Sequence, residues 1–331
     1  MKEIRIVLTM DCEPTTATSH PTATGPRDWA HGERAITGYF DIAKSYGLPV
    51  TYFVHPETAL AQSAMLNGLA AQGACLGLHM HPWKYAVWRH QGRRYMAHYG
   101  DLSELEQHQL LSEASALWHE GLGTRPLYFR PGTFSANDAL FRVLADLGFR
   151  GGSCSAPGRM LPEFRAIWTG AEPDPHRASR QFRQVRGDLD FAEMPISADF
   201  SALLSGRNGR RMHADLRPDT DWPGQYGVGW RTIATNIVAQ VLERNPAVPV
   251  ITMITHNHYE YRDASDATTQ RLRTMLDELT AACAAAKVRP VGATLAQVPD
   301  AVLAQPPVPE PFVCEGAIFE VAGEVPTLNI P

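Results

Sequence analysis

Segments typical of β-strands alternate with segments typical of helices along most of this sequence. Short apolar runs, among them "IRIVLTM", "LPVTYFVH" and "ACLGLHMH", are each followed by an amphipathic stretch that Gly or Pro ends. Such alternation predicts a mostly parallel sheet with right-handed helical crossovers. About seven such units favour an α/β barrel over an open sheet, and a chain of 331 residues, 44% of them hydrophobic, is long enough to bury its core.

The regular pattern weakens in three places. Between residues 157 and 225 only "LDFAEMPIS" is typical of a strand, residues 82–100 are expected to form a loop, and the tail after Asp300 contains no obvious helix. We therefore expect one barrel over residues 1–300, with an irregular insertion at about 157–225, and a C-terminal extension over 301–331.

Polar side chains interrupt the apolar strands close to their carboxyl ends. In parallel barrels these ends form the rim at which chemistry collects. The pattern occurs in five segments, whose polar or special residues are Asp11 and Glu13, His79 and His81, Arg130 and Pro131, Asp190 and Glu193, and His256 and His258.

Two of these pairs suggest a metal site. Asp11 and Glu13 are two residues apart, so on a strand they share one face, and two adjacent carboxylates repel each other unless a cation lies beside them. His79 and His81 have the same spacing. A set of mixed oxygen and nitrogen ligands suits Zn²⁺ or a similar divalent ion. The alternative is that the histidines are ordinary rim residues.

Composition excludes several other classes of function. The net charge of −5 gives no overall basic field for nucleic acid or an anionic membrane. The five cysteines are scattered without a CxxC spacing, which argues against a disulfide framework and fits a reducing compartment. The charged N-terminal segment reads as a strand and not a signal peptide, and no apolar run could span a bilayer. We expect a cytoplasmic protein without membrane insertion, and the oligomeric state stays open.

The motifs, taken in order, resemble those of the polysaccharide deacetylases of the NodB-homology type, carbohydrate esterase family 4. The matching segments are Thr9-Met10-Asp11 after the first strand, "LGLHMHPW", Phe129-Arg130-Pro131, "LGFRGGSCSAP" and Ile254-Thr255-His256. Within the family, the "DCEP" and "HMHPW" forms look most similar to a branch associated with lipopolysaccharide and surface-glycan biosynthesis. The resemblance implies a distorted (β/α)7-type barrel of the NodB deacetylase type.

The resemblance also implies roles for individual residues. The place of the usual second metal-binding Asp holds Cys12, so the Asp-x-Glu variant makes Glu13 the ligand and Asp11 the base. The usual second histidine, four residues after His79, is replaced by Trp83, so His81 would substitute for it. The metal ligands would thus be Glu13, His79 and His81, binding a divalent ion, most simply zinc.

The implied reaction is metal-assisted hydrolysis of an N-acetyl group on a sugar or surface-polysaccharide intermediate. Asp11 would act as base, His256 would protonate the leaving amine, and Arg130 would keep Asp11 ionised. Trp83, Pro131 and Gly132 would contact the substrate, a carbohydrate or N-acetylated small molecule. An aromatic loop, with Trp83, Tyr85, Trp88 and Tyr95, is either a platform for sugar rings or a lid that packs on the barrel.

Three other functions stay open. A metal-dependent amidohydrolase also uses His-x-His, but there the pair ends the first strand. A deacetylase-fold amidase acting on a small linear or cyclic amide would share the rim residues. A degenerate, non-catalytic carbohydrate-binding barrel would account for Cys12 and Trp83 at ligand positions.

Overall fold

The computed structural model describes residues 2–17, 23–205 and 211–308. The strands in chain order are β1 (Glu3–Cys12), β2 (Val50–Val54), β3 (Cys75–Met80), β4 (Tyr128–Pro131), β5 (Gly151–Gly152), β6 (Met160–Leu161), β7 (Ala166–Ile167), β8 (His176–Arg177), β9 (Ala192–Glu193), β10 (Ala198–Ser205), β11 (Arg211–Asp215), β12 (Val250–His256) and β13 (Arg289–Gly292).

Ten α-helices occur within these described ranges. They are α1 (Trp29–Ser45), α2 (Pro56–Ala61), α3 (Ser63–Ala71), α4 (Pro82–Trp88), α5 (Glu104–Leu122), α6 (Leu140–Asp146), α7 (Trp222–Tyr226), α8 (Trp230–Arg244), α9 (Ala267–Ala285) and α10 (Pro299–Leu303). In the part of the chain that is described, none of the helices combines the length and the apolar character needed to cross a bilayer.

The main sheet is a curved, largely parallel sheet with the strand order β12-β1-β2-β3-β4-β5-β9-β8. β13 pairs with the first half of β1, while β2 pairs with its second half. Beyond β9, Ser197 bonds to Thr252 of β12. The backbone N–H of Ser197 donates to the Thr252 carbonyl at 3.1 Å, and the backbone N–H of Thr252 donates to the Ser197 hydroxyl at 3.0 Å. These two bonds connect the far side of the sheet back to β12.

The two faces of β1 have different surroundings. Ile4, Ile6, Leu8 and Met10 pack in the large apolar cluster that the helices cover. Val7 belongs to a second cluster, made of strand residues and of the segment around Leu295 and Val302. Because side chains alternate along a strand, Thr9 and Asp11 face the same side as Val7, which is the barrel interior.

The sequence favours Asp101 or Ser103 as the cap of the long helix α5 and Gly121 or Gly123 as its end, and the structure has Ser103 and Gly123 in these places. Ser103 accepts a bond from the N–H of Glu106 and the Glu106 carboxylate accepts one from the N–H of Ser103, which is a capping box. Gly123 adopts the left-handed conformation, with φ of 73°, and ends the helix.

The structure corrects the sequence-based view of three segments. Residues 82–88, expected in a loop, form helix α4, and the insertion contains the hairpin β10–β11, which the irregular pattern did not reveal. After Asp300, α10 continues to Leu303 and Val302 is buried in the core. Cys314 and most of the basic stretch "GRNGRR" lie outside the described residues.

Candidate active site

The two acids of the opening strand lie side by side within the barrel, at the carboxyl end of β1. Asp11 is 3% exposed and Glu13 is 1% exposed. Cys12, between them, packs on the opposite face with Leu8 and Met10, so its thiol points away from the carboxylates. Asn257 fixes the turn by bonding the backbone of Glu13 at both its N–H and its carbonyl, at 2.9 and 3.0 Å.

Glu13 lies against both histidines of the His-x-His motif. Its Oε1 atom is 3.3 Å from Nε2 of His79 and 2.9 Å from Nε2 of His81. One ligand atom from each of these three buried side chains lies within 4.8 Å of the others. The structure therefore brings together the three residues that the motifs suggest as metal ligands.

Neighbouring backbone holds both imidazoles in place. Nδ1 of His79 donates to the carbonyl of Arg130 at 3.0 Å, which turns Nε2 of the ring toward Glu13. His81 lies flat against Gly132, where a Cβ atom would be only 2.2 Å from Nδ1 of His81. Only glycine fits at position 132 while His81 keeps this orientation.

These three side chains suit a divalent ion. Two imidazole nitrogens and one carboxylate oxygen form a donor set that zinc binds in proteins, with room for a further ligand. The His79 ring is already oriented by a carbonyl, as metal-binding histidines commonly are. The residues present thus fit a metal ion, while nothing in them selects zinc over similar ions.

Lys84 is a member of the cluster that sequence reasoning missed. Its Nζ atom lies 2.8 Å from Oε2 of Glu13 and donates at 2.7 Å to the carbonyl of Thr24, and the side chain is fully buried. Lys84 comes three residues after His81, and only a helix returns it to the same side. Because the segment was expected to be a loop, this spacing carried no signal.

Burial and the charges within the cluster shift the pKa values of its members. Burial opposes ionisation of Glu13, but His81, Lys84 and His79 outweigh it and hold the pKa of Glu13 well below the usual range. Burial lowers the pKa of His81 to about 4. Burial acts on His79 in the same direction, but Asp11 and Glu13 overcome it and raise the pKa of His79.

Arg130 holds Asp11 in a buried ion pair. Its Nη1 donates to Oδ1 of Asp11 at 2.7 Å and to the Thr9 hydroxyl at 2.8 Å, while Nε and Nη2 donate to the carbonyl and hydroxyl of Ser153. The guanidinium also lies over the ring of Phe53. Burial would raise the pKa of Asp11, yet Arg130, together with His79 and His256, keeps that pKa below its ordinary value.

His256 is oriented by Asp219, a residue of the insertion that carried no motif. Nδ1 of His256 lies 2.5 Å from Oδ2 of Asp219, and Thr255 bonds to the other carboxylate oxygen. Nε2 of His256 is directed to the opposite side and lies 3.9 Å from Oδ2 of Asp11. Neighbouring His258 stacks on His256, and burial lowers the pKa of His258 to about 4.

Other rim residues do not join the cluster. The side chain of Asp190 is 90% exposed and pairs with Arg177. Glu193 is buried but accepts bonds from the N–H groups of Cys154 and Ser155, and burial raises its pKa to about 7. The expectation that both line the reacting end is wrong.

The aromatic side chains of this segment have different surroundings. Tyr85 and Tyr95 are each 2% exposed and both bond to Glu113, so they pack as part of a lid. Trp83 is half-buried, and the centroid of its ring lies 6.0 Å from the centroid of the His81 ring. Pro131 and Gly132 are buried next to the cluster.

Comparisons with known proteins identify the fold. The sequence matches no protein-family model and no curated protein. A Mycobacterium smegmatis protein provisionally classed as a polysaccharide deacetylase has a crystal structure similar to this one, with a TM-score of 0.58, 17% identity and coverage of 92% of both chains. The crystal structure of Puue allantoinase has a TM-score of 0.55, 13% identity and coverage of 92% of both chains. The distorted barrel of the NodB deacetylase type, expected from the motifs, is thereby confirmed.

Proposed function

We propose that the chain is a metal-dependent hydrolase that removes an N-acetyl group from a sugar or a surface-polysaccharide intermediate. The observation that carries this proposal is the arrangement of two sets of groups at one end of the barrel. Glu13, His79 and His81 offer a ligand set, and Asp11 and His256 flank it. Amide hydrolysis requires these elements: an electrophilic centre, a base and an acid.

In this proposal Glu13, His79 and His81 hold the ion. A divalent ion supplies polarisation of the acetyl carbonyl and makes a bound water more acidic. Lys84 contacts only Oε2 of Glu13, so Oε1, the oxygen beside both histidines, is the one available to a metal. Zinc is the ion that we propose, because it commonly binds such a donor set, although similar divalent ions fit the same residues.

Asp11 takes the proton from the attacking water. Its Oδ1 is occupied by Arg130, so Oδ2 is the oxygen that accepts the proton. The same Oδ2 is 4.0 Å from Nδ1 of His79 and 3.9 Å from Nε2 of His256, which places it between the proposed metal ligands and the proposed acid. Arg130 acts through Asp11 and is a positioning residue.

His256 gives a proton to the leaving amine. Its Nδ1 atom is bonded to Asp219, so Nε2 is the atom that can deliver the proton. A carboxylate behind an imidazole fixes the tautomer and stabilises the charged ring, as in catalytic triads. Asp219 is therefore assigned the same positioning role toward His256 that Arg130 has toward Asp11.

Trp83, Pro131 and Gly132 are proposed to contact the substrate. Trp83 has the exposure and the position beside His81 that a ring stacking on a sugar face would need. Pro131 and Gly132 form the wall next to His81, and any contact with substrate there would involve their backbone.

A second candidate is hydrolysis of a small amide. The similarity to Puue allantoinase, which by its name acts on allantoin, favours this candidate about as much as the other structure favours a polysaccharide. The residues that would carry out the reaction are the same in both, so the loops around the rim would decide the substrate.

Two measurements on the purified protein test the proposal. Elemental analysis should find about one divalent ion per chain, and a screen of N-acetylated sugars, with small linear and cyclic amides alongside, should detect acetate or amine release. Release from sugars supports the first candidate and release from small amides alone supports the second. A metal-free protein that binds sugars without hydrolysis would instead be a non-catalytic carbohydrate-binding barrel.

A further inference from the structure

A cavity in the insertion adjoins the reacting end. It has a volume of about 80 Å³ and is lined by Ala156, Arg159, Ile196, His213, Asp215, Arg217, Thr220 and Trp222, among others. Since roughly 10–15 Å³ of such volume accommodates one water, the space admits several waters or a small chemical group. None of these polar side chains has a part in the proposed reaction.

Two arginines meet at a single carboxylate oxygen in this cavity. Nη2 of Arg217 is 3.1 Å from Oδ2 of Asp215, and Nη2 of Arg159 is 3.5 Å from the same atom. Nε of Arg217 is buried and has no hydrogen-bond partner among the described residues. The two guanidinium groups carry two positive charges against one negative charge, so the wall of the cavity is electropositive.

Asp219 and Asp11 also lie near Arg217 and, with Asp215, raise its pKa against the effect of burial, but neither is bonded to the arginines of the cavity. Asp11 is bonded to Arg130, and Asp219 is bonded to His256 and Thr255. Burial, and after it repulsion by the positive charge of Arg217, lower the pKa of Arg159 to about 9 in spite of Asp215. An anion in the cavity would relieve that repulsion.

The cavity lies next to the residues proposed to react. Phe134 separates Arg130 from Arg159: its ring centroid is 5.7 Å from the first guanidinium and 4.9 Å from the second. On the other side, the segment that carries Asp215 and Arg217 continues to Asp219, the partner of His256. A substrate whose amide lies at Asp11 and His256 would have its neighbouring substituents within reach of the arginines.

We propose that this cavity is a subsite for an anionic group of the substrate, a carboxylate or a phosphate, held by Arg159 and Arg217. The inference rests on the proposed function for the position of the amide, and it narrows the substrate class to N-acylated compounds that carry a negative charge. Guanidinium groups are suited to this task because their donors match the oxygens of both anions. Oδ1 of Asp215, which is buried with no partner in the part of the chain that the structure describes, would accept a bond from a hydroxyl group beside the anion.

Binding measurements test the subsite without requiring turnover. Calorimetry on the metal-loaded protein would compare N-acetylglucosamine with three charged relatives: its 6-phosphate, N-acetylmuramic acid and N-acetylneuraminic acid. These carry the anion at different positions and distinguish phosphate from carboxylate. At least one should bind about 10- to 100-fold tighter than the neutral sugar, the size of one hydrogen bond to a charged group.

Variants assign the effect to the cavity. Arg159→Met and Arg217→Met keep an unbranched apolar stem and should each abolish the preference for the charged sugar. Arg289→Gln removes the same charge at the opposite, amino-terminal end of β1, where Arg289 pairs with Glu3, and should leave the preference unchanged. Thr220→Glu retains both arginines and adds a carboxylate to the cavity wall, so it should weaken the charged ligand even if an arginine variant fails to fold.

Each outcome is decisive. A charge preference that the arginine and Thr220 variants remove supports the subsite, with or without hydrolysis of the same sugars. Hydrolysis of sugars without such a preference would leave the proposed function standing and overturn the subsite. A charge preference that the variants do not alter, or no preference for any charged sugar, also overturns it.

Discussion

Asp11 and His256 are register partners on the adjacent strands β1 and β12, and Oδ2 of Asp11 lies 3.9 Å from Nε2 of His256. Each of the two is bonded from behind, Asp11 by Arg130 and His256 by Asp219. The two atoms that face each other, Oδ2 of Asp11 and Nε2 of His256, are therefore the ones to which the proposed mechanism assigns proton transfer with the substrate.

Asp11→Asn should lower turnover by roughly 100-fold or more, the usual contribution of a general base. Asn is isosteric and can still accept a bond from Arg130, but it cannot take a proton. Metal content, measured by elemental analysis, should stay at the wild-type level. If the ion is lost with the substitution, Asp11 is a ligand and the assignment of Glu13 in that role has to be revised.

Asp219→Asn should reduce turnover by roughly tenfold or more without loss of metal, because the His256 ring loses the group that fixes its tautomer. The pH profile separates this role from a merely structural one. If Asp219 acts through His256, the proposed acid, the substitution should change the alkaline limb of the profile of kcat against pH. Substrates with poor leaving amines should be affected most. The same profile measured for His258→Ala should match the wild type if His256 is the acid.

Substitutions of Lys84 and of His79 should change the metal affinity in opposite directions. His79→Ala removes a ligand, so the folded protein should bind little metal. Lys84→Met removes an ammonium group 2.8 Å from Oε2 of Glu13 that competes for the same negative charge, so the ion should bind more tightly, by roughly tenfold. Titration with zinc or cobalt in the presence of a chelator measures both. Weaker binding by the Lys84 variant would mean that Lys84 chiefly orients Glu13.

Gly132→Ala should weaken metal binding, because the added Cβ would lie 2.2 Å from Nδ1 of His81 and displace that ring. Gly68→Ala is the matched control, since Gly68 lies on the exposed side of helix α3 with nothing within 4 Å of the added atom. There the substitution should raise the free energy of unfolding by up to about 1 kcal/mol. Equal metal affinity of the two variants would show that His81 is not held by Gly132.

Glu193 should make the protein less stable as the pH rises from about 4.5 to about 7. Burial raises the pKa of this carboxyl from 4.5 to about 7. In that window the folded state therefore binds the proton that the unfolded state releases, and the free energy of unfolding falls by roughly 3 kcal/mol at most. Chemical denaturation at several pH values should show this decline and a plateau above pH 7. Glu193→Gln, which cannot ionise, should remove it; an unchanged pH dependence would assign it elsewhere.

The parallel barrel and the meeting of the Asp11/Glu13 pair with the His79/His81 pair could be predicted from periodicity, whereas the choice of Glu13 as the ligand came from the family resemblance. Strand alternation puts residues two apart on one face, and the parallel arrangement brings strand ends together. Lys84, Asp219 and the arginine cavity could not, since their positions depend on a helix and a hairpin inside segments whose pattern is irregular. Asp190 shows the opposite error: a polar residue near a strand end turned out to face solvent.

The two bonds between Asn257 and the backbone of Glu13 join residues 244 positions apart in the chain. A ribosome adding roughly 5–20 residues per second needs roughly 12–50 s between them. Throughout that interval the nascent chain already contains Glu13, and later both histidines, but not the residue that holds the Glu13 backbone. The cluster of Glu13, His79 and His81 gains this backbone support only after nearly the whole barrel has been synthesised, so uptake of the proposed ion would be a late event in the maturation of the protein.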